Sequence, residues 1–147
     1  MNKHMNKQEI AELFKRGQDC SQVVASYYAK QLGYSAEEMN RMSAAFGGGM
    51  GRGEACGAVV GAMIVLGLKY GNIGPDDPGN KELMGAKRAE FLEKWYARRQ
   101  SVACRDLLGH DFSKPGEFEA VLEEGTMFTL CPELVCDAIA ILDEILA

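Results

Sequence analysis

With 147 residues, 47% of them hydrophobic and 25% charged, the chain has the balance of one ordinary globular domain with a core of its own. A net charge of −5, with Lys and Arg spread along the chain, offers no basic field to draw nucleic acid or an anionic membrane, so neither is an expected partner. Residues 1–7 are polar and lead directly into a helical pattern without the apolar core of a secretory signal, so the protein is expected to stay in the cytoplasm.

Apolar residues recur at helical spacing almost throughout, and no stretch shows sustained alternation bounded by hairpin turns. The expected fold is all-α: a single domain over residues 1–147, a bundle of about five to seven helices, with residues 1–6, including His4, as a flexible tail. The first helix is predicted over residues 7–16, with Ile10, Leu13 and Phe14 on one face and Gly17 as its stop. The second starts near Asp19, a good N-cap, and runs to Gly33. Ser35 and Glu38 form a capping box that opens the third, with Met39, Met42, Ala45 and Phe46 turned inward.

That helix runs into Gly47, Gly48, Gly49, Met50, Gly51, Arg52 and Gly53, a tract that cannot continue a helix cheaply and permits positive φ. It predicts a tight loop ahead of the central apolar helix over residues 54–70, where Gly57, Ala58, Gly61 and Ala62 leave a low surface for another helix. The apolar run at residues 55–68 has about 14 residues where a bilayer needs roughly 20, so it reads as a buried core helix rather than a membrane span. A loop at residues 71–79 leads to a long helix predicted over 81–108. After a break at 109–116, a short helix is predicted over 117–124 and the last from Pro132, over 132–146, because proline favours the first helical position.

Five cysteines are many for a reducing compartment, where permanent disulfides are rare and grouped thiols point to metal binding or redox work. Any one of them taken alone reads equally as a small buried hydrophobe. Three fall at predicted helix starts: Cys20 after Asp19, Cys56 after the glycine tract, and Cys131 before Pro132. A helix N-terminus favours thiolate over thiol, so these are positions for reactive cysteine. Cys56 is expected to be the most reactive, with Arg52 as a positive neighbour. Cys104, near the end of the predicted long helix, is expected to be slow. Cys136 falls off the apolar stripe of its helix and reads as peripheral.

No C-x-x-C pair is present, so a thiol group has to be assembled by the fold, and a zinc site with four isolated ligands is less favoured than one with paired ligands. The glycine tract fails as a phosphate-binding loop, since Glu54 and Ala55 stand where lysine and a hydroxyl residue belong, and no register gives G-x-G-x-x-G after a strand. It either leaves room for backbone or a small ligand near Cys56 or is purely structural. His110 reads as a helix-end residue near Asp111. No Ser-His-Asp set or H-E-x-x-H helix is visible, and the acidic residues read as solvated faces.

Cys20, the run Gly53-Glu54-Ala55-Cys56-Gly57-Ala58-Val59-Val60-Gly61, Cys104 and Cys131 together resemble the C-GCAxxG-C-C family, described as putative redox-active proteins without an established substrate. The local order here is Cys-Gly-Ala-Val-Val-Gly. The resemblance covers nearly the whole chain and implies that Cys20, Cys56, Cys104 and Cys131 are the functional set, with Cys136 as the competitor of Cys131 for the fourth place.

Three readings follow. The first is thiol–disulfide or electron-transfer chemistry with an unidentified redox partner or small molecule, with Cys56 attacking and a neighbour resolving. The second is a protein holding a metal ion or iron–sulfur cluster on Cys20, Cys56, Cys104 and Cys131. The third is a structural helical protein, as a monomer or a homo-oligomer, whose cysteines only pack. No cofactor is required by the first.

Overall fold

The computed structural model describes residues 5–147, and it is helical, with no strand beyond one isolated bridge among those residues. His4 and the first four residues of the expected tail lie outside them. Asn6 is not tail: its Oδ1 accepts the Glu9 N–H at 2.9 Å and caps the first helix. The α-helices are α1 (Lys7–Lys15), α2 (Cys20–Tyr27), α3 (Ala29–Leu32), α4 (Ala36–Ser43), α5 (Gly57–Tyr70), α6 (Pro78–Tyr96), α7 (Cys104–Leu108), α8 (Glu117–Glu124) and α9 (Thr126–Leu146), with a tight turn at Gly49–Gly53 in which Gly49, Met50, Gly51 and Gly53 have positive φ. No single helix among the described residues is long and apolar enough to cross a membrane.

The packing is organised around α5. Gly57 and Gly61, four residues apart, lie on one face of that helix. A methyl group on Gly61 would stand 2.7 Å from Ser21 O and 3.0 Å from Val24 Cβ, and one on Gly57 would overlap Cys20 Sγ. The low surface expected on α5 is therefore the seat of α2. Ser21, a fully buried residue of α2, donates to Ser43 O at 2.9 Å and joins α2 to α4. Capping-box residues Ser35 and Glu38 open α4 as expected. Met42 and Ala45, expected inward, are exposed, because the short helix turns Met39 and Ser43 to the core instead.

The opposite wall is α9, whose Val135, Ala138, Ile139, Leu142 and Ile145 are buried. Tyr28, also buried, donates towards Ile139 O at 3.0 Å and Asp143 Oδ1 at 2.8 Å, crossing from the end of α2 to α9. Arg99 Nε donates to Asp137 Oδ2 at 2.7 Å and fastens the segment after α6 to the same helix.

Two predicted helices have different bounds. The helix expected over 81–108 ends at Tyr96 and restarts at Cys104. Trp95 Nε1 donates to Ser101 O at 2.8 Å, while Ser101 Oγ accepts from Ala103 N–H at 3.0 Å and donates to Asp106 at 2.8 Å, so side chains hold the chain in a turn. The last helix starts six residues before Pro132, at Thr126, after an 85° bend from α8 at Gly125. Gly125 has φ 77°, and that left-handed residue both ends α8 and starts α9. Pro132 sits inside the helix and is buried, its missing N–H offset by packing.

The connection from α7 to α8 is closed by His110, whose Nδ1 meets Glu117 and whose Nε2 lies 3.0 Å from Glu124 Oε2. Both ring nitrogens donate only in the imidazolium form. The hydrogen bonds to Glu117 and then Glu124 accordingly hold the His110 pKa above its ordinary value.

Two measurements follow from this packing. Gly61→Ala is expected to lose about 1–3 kcal/mol in urea unfolding by overpacking, whereas Gly67→Ala, with open space around it, is expected to gain about 0.5–1 kcal/mol; equal effects at the two sites would contradict the close seating of α2. The stabilisation from His110 is complete below its unfolded pKa of about 6.5 and disappears as pH rises through the higher folded value. The melting temperature should therefore fall from about pH 6 to about pH 9 by a step that His110→Gln lacks; parallel curves for the two proteins would remove this role.

Candidate functional site

A cavity of about 610 Å³, counted out through its open mouth, is lined by residues that include Cys20, Cys56, Cys104 and Cys131. Each comes from a different part of the chain. Cys20 is the first residue of α2, behind the N-cap Asp19. Cys56 is the N-cap of α5. Cys104 is the first residue of α7, and Cys131 lies one turn and more inside α9.

Cys56 and Cys104 are positioned together by backbone. Ala55 and Ala103 form an antiparallel bridge, in which Cys56 N–H donates to Val102 O at 2.7 Å and Cys104 N–H donates to Glu54 O at 2.6 Å. The break between α6 and α7 exists to make this pairing possible, since a continuous helix would have its amide groups already committed. The glycine tract delivers the other side. Gly48 and Gly49 have φ of 63° and 61°, and a methyl group on Gly49 would run into the Glu54 backbone. This folds the tract back so that the Gly48 N–H points to Cys20 Sγ. Gly57, with no side chain, leaves the space that the same sulfur occupies.

The remaining lining is apolar: Phe14, Leu108, Phe112, Met127 and Leu134, with Gln18 and Asp19 at one side. Phe112 is braced edge-on by Phe118 at a ring separation of 5.5 Å. All five cysteines are free. Cys20 and Cys131 keep part of their surface exposed, whereas Cys56 and Cys104 are 4% and 5% exposed. Cys136 lies outside the cavity, its Sγ 3.8 Å from Met5 O.

Burial raises every one of these thiols above the ordinary cysteine value. Cys104 is pushed up to about 12 by burial and then by the nearby Cys20. Cys56 is raised well above the ordinary value by burial and by Cys20, although the Ala58 and Val59 N–H groups at the start of α5 work in the other direction. Cys20 is raised by burial and by Asp19, against the Gly48 and Ser21 N–H groups that favour its charged form. Cys131 is raised by burial, then by Cys20 and Cys104. Cys20 thus adds to the upward push on each of the other three.

These observations correct three expectations. Cys56 does occupy a helix start, but burial pushes its thiol up and outweighs the Ala58 and Val59 N–H groups there. Cys131 is not at a helix start, because α9 begins at Thr126. Cys104 is not near the end of a long helix but begins a short one. The alternative of a metal or iron–sulfur centre on Cys20, Cys56, Cys104 and Cys131 finds no support in the geometry, since among the described residues no group of three or more His, Cys, Asp or Glu is arranged to hold a metal ion.

Sequence reasoning also missed Phe14, Phe112 and the second role of Asp19, which is cavity wall as well as helix cap. Only Asp19 carried a signal, its position next to Cys20.

The family described as "Putative redox-active protein (C_GCAxxG_C_C)" matches residues 18–145, and the chain belongs to that family. No match to a curated protein or to a solved structure accompanies it.

In the reduced protein, native-state alkylation should label Cys20 and Cys131 before Cys56 and Cys104, with Cys104 still gaining reactivity up to about pH 12. Quenched labelling and peptide mapping across pH measure this order; labelling of Cys56 ahead of Cys20 would contradict the burial described.

Proposed function

We propose that the protein is a thiol–disulfide redox protein in which Cys20 attacks and Cys56 resolves, with Cys104 and Cys131 as the second pair of the same group. The observation that supports this reading most is that thiols from four distant segments line one cavity whose other walls are almost wholly apolar. Packing alone does not require sulfur at four such positions, and membership of the redox-active family agrees with the reading.

Cys20 is the better attacking group because it keeps accessible surface and accepts backbone N–H groups, while Cys56 is enclosed. Its proton leaves to solvent base. The thiolate attacks one sulfur of a substrate disulfide R–S–S–R, the S–S bond breaks, and R–S⁻ departs to be protonated by water. Cys56, deprotonated in turn, attacks the Cys20 sulfur of the mixed disulfide and expels the second R–S⁻. Two electrons and two protons leave the protein, and a Cys20–Cys56 disulfide remains. The reverse sequence oxidises a dithiol.

The apolar walls suit this cycle in one respect and slow it in another. Dithiol and disulfide are both neutral, so the cavity holds either end state without solvating a charge. The thiolate between them is disfavoured, so its fraction at neutral pH is small. Once formed, it is a stronger nucleophile than a low-pKa thiolate, since intrinsic nucleophilicity rises with pKa.

Mass spectrometry of the full chain reacted with 2-hydroxyethyl disulfide in the presence of a chelator tests the assignment. The native protein should form an intramolecular disulfide, Cys56→Ser should trap a mixed disulfide on Cys20, and Cys20→Ser should react at least about tenfold more slowly. Below the thiol pKa the rate should rise about tenfold per pH unit, following the thiolate fraction. Undiminished reaction in Cys20→Ser, or reactivity lost on chelation, would overturn the proposal.

A further inference from the structure

We propose that this cavity selects its disulfide by charge, accepting small uncharged or cationic organosulfur compounds and rejecting carboxylate-bearing ones of the glutathione type. The inference rests on the thiol–disulfide reading above and adds the chemical class of its substrate.

The lining contains no Lys or Arg. Its apolar walls are Phe14, Leu108, Phe112, Met127 and Leu134, and its mouth is open to solvent. The two polar side chains cannot receive an anion. Gln18 has its amide N–H groups engaged internally, donating to Asn40 Oδ1 at 2.9 Å and to Ser26 Oγ at 3.1 Å. Asp19, exposed and directly before Cys20, brings a negative charge to the same wall. Two nearby cations in the sequence have partners of their own: Lys15 lies 3.4 Å from Glu12 and over the Phe128 ring, and Arg105 lies 3.2 Å from Glu54.

A carboxylate entering this space loses hydration, finds neither cation nor free side-chain donor, and approaches Asp19. A hydroxyl or methylene substituent loses little. An ammonium substituent gains from Asp19 instead. Discrimination on this basis needs no contact specific to one compound, and it acts at the step where the disulfide meets Cys20.

The test uses three disulfides of similar size: cystamine (cationic), 2-hydroxyethyl disulfide (neutral) and dithiodiglycolate (anionic). Rates with the reduced full chain are each divided by the rate of the same disulfide with the urea-unfolded chain, which removes intrinsic reactivity. The normalised rates for cystamine and the neutral disulfide should exceed that for dithiodiglycolate by at least about tenfold. Asp19→Asn, which keeps an N-cap residue on α2, should narrow the ratio of cationic to anionic rates by several-fold.

Equal normalised rates for all three, with reaction still at Cys20, would overturn the charge selection and leave the redox reading standing. The same follows from a native ratio that Asp19→Asn leaves unchanged, as far as the role of Asp19 is concerned. If none of the three reacts at Cys20 in the folded chain, both the redox reading and the selection fall together.

Discussion

The seating of α2 on the two glycines of α5 is the contact on which the cavity depends. Cys20 Sγ occupies the space where a side chain on Gly57 would stand, and Ser21 and Val24 press on Gly61 a turn later. Helices carrying ordinary side chains pack with axes about 8–10 Å apart, whereas glycine lets the backbones come closer. That closeness sets the sulfur of Cys20 beside the helix that starts from Cys56. The loop before α5 then has little freedom, because it must turn back through Gly48 and Gly49 at positive φ to meet both helices. The same glycines thus serve the core and the thiols.

From that contact follows the electrostatic character of the group. Helix starts at Cys20 and Cys56 supply N–H groups to their sulfurs, an arrangement that lowers a thiol pKa when water is near. Here Cys56 is buried and Cys20 partly so beside apolar walls, and desolvation is the largest influence on both. The thiols are therefore stored neutral. In the proposed cycle, such a protein changes between two uncharged states and ionises one sulfur at a time, beginning with the less buried Cys20.

Much of this was legible in the chain. Apolar spacing identified an all-α protein, the capping box at Ser35 opened α4, and Gly57 and Gly61 marked a close approach whose partner only the fold reveals. The separation of Cys136 from the other four cysteines could be read from its place off the apolar stripe. What escaped reading was non-local. The turn after Tyr96 contains neither Gly nor Pro, and it is made by Trp95 and Ser101 and by the pairing of Ala103 with Ala55, 48 positions away. Pro132 gave a misleading helix start because burial at that site outweighs a lost hydrogen bond. The reactivity expected of Cys56 rested on the helix dipole, a local property, whereas burial, which depends on everything packed around the sulfur, pushes its pKa the other way.

Counting thiols through a redox titration of the full chain, with peptide mapping at each point, probes the proposed shared role of Cys20, Cys56, Cys104 and Cys131 most directly. Thiols should disappear in pairs with two-electron behaviour, Cys20 and Cys56 linked to each other first, and Cys136 alone should remain free at the oxidising end. Oxidation of Cys136 alongside the cavity thiols, or loss of single thiols to sulfinic or sulfonic acid without any intramolecular disulfide, would contradict it.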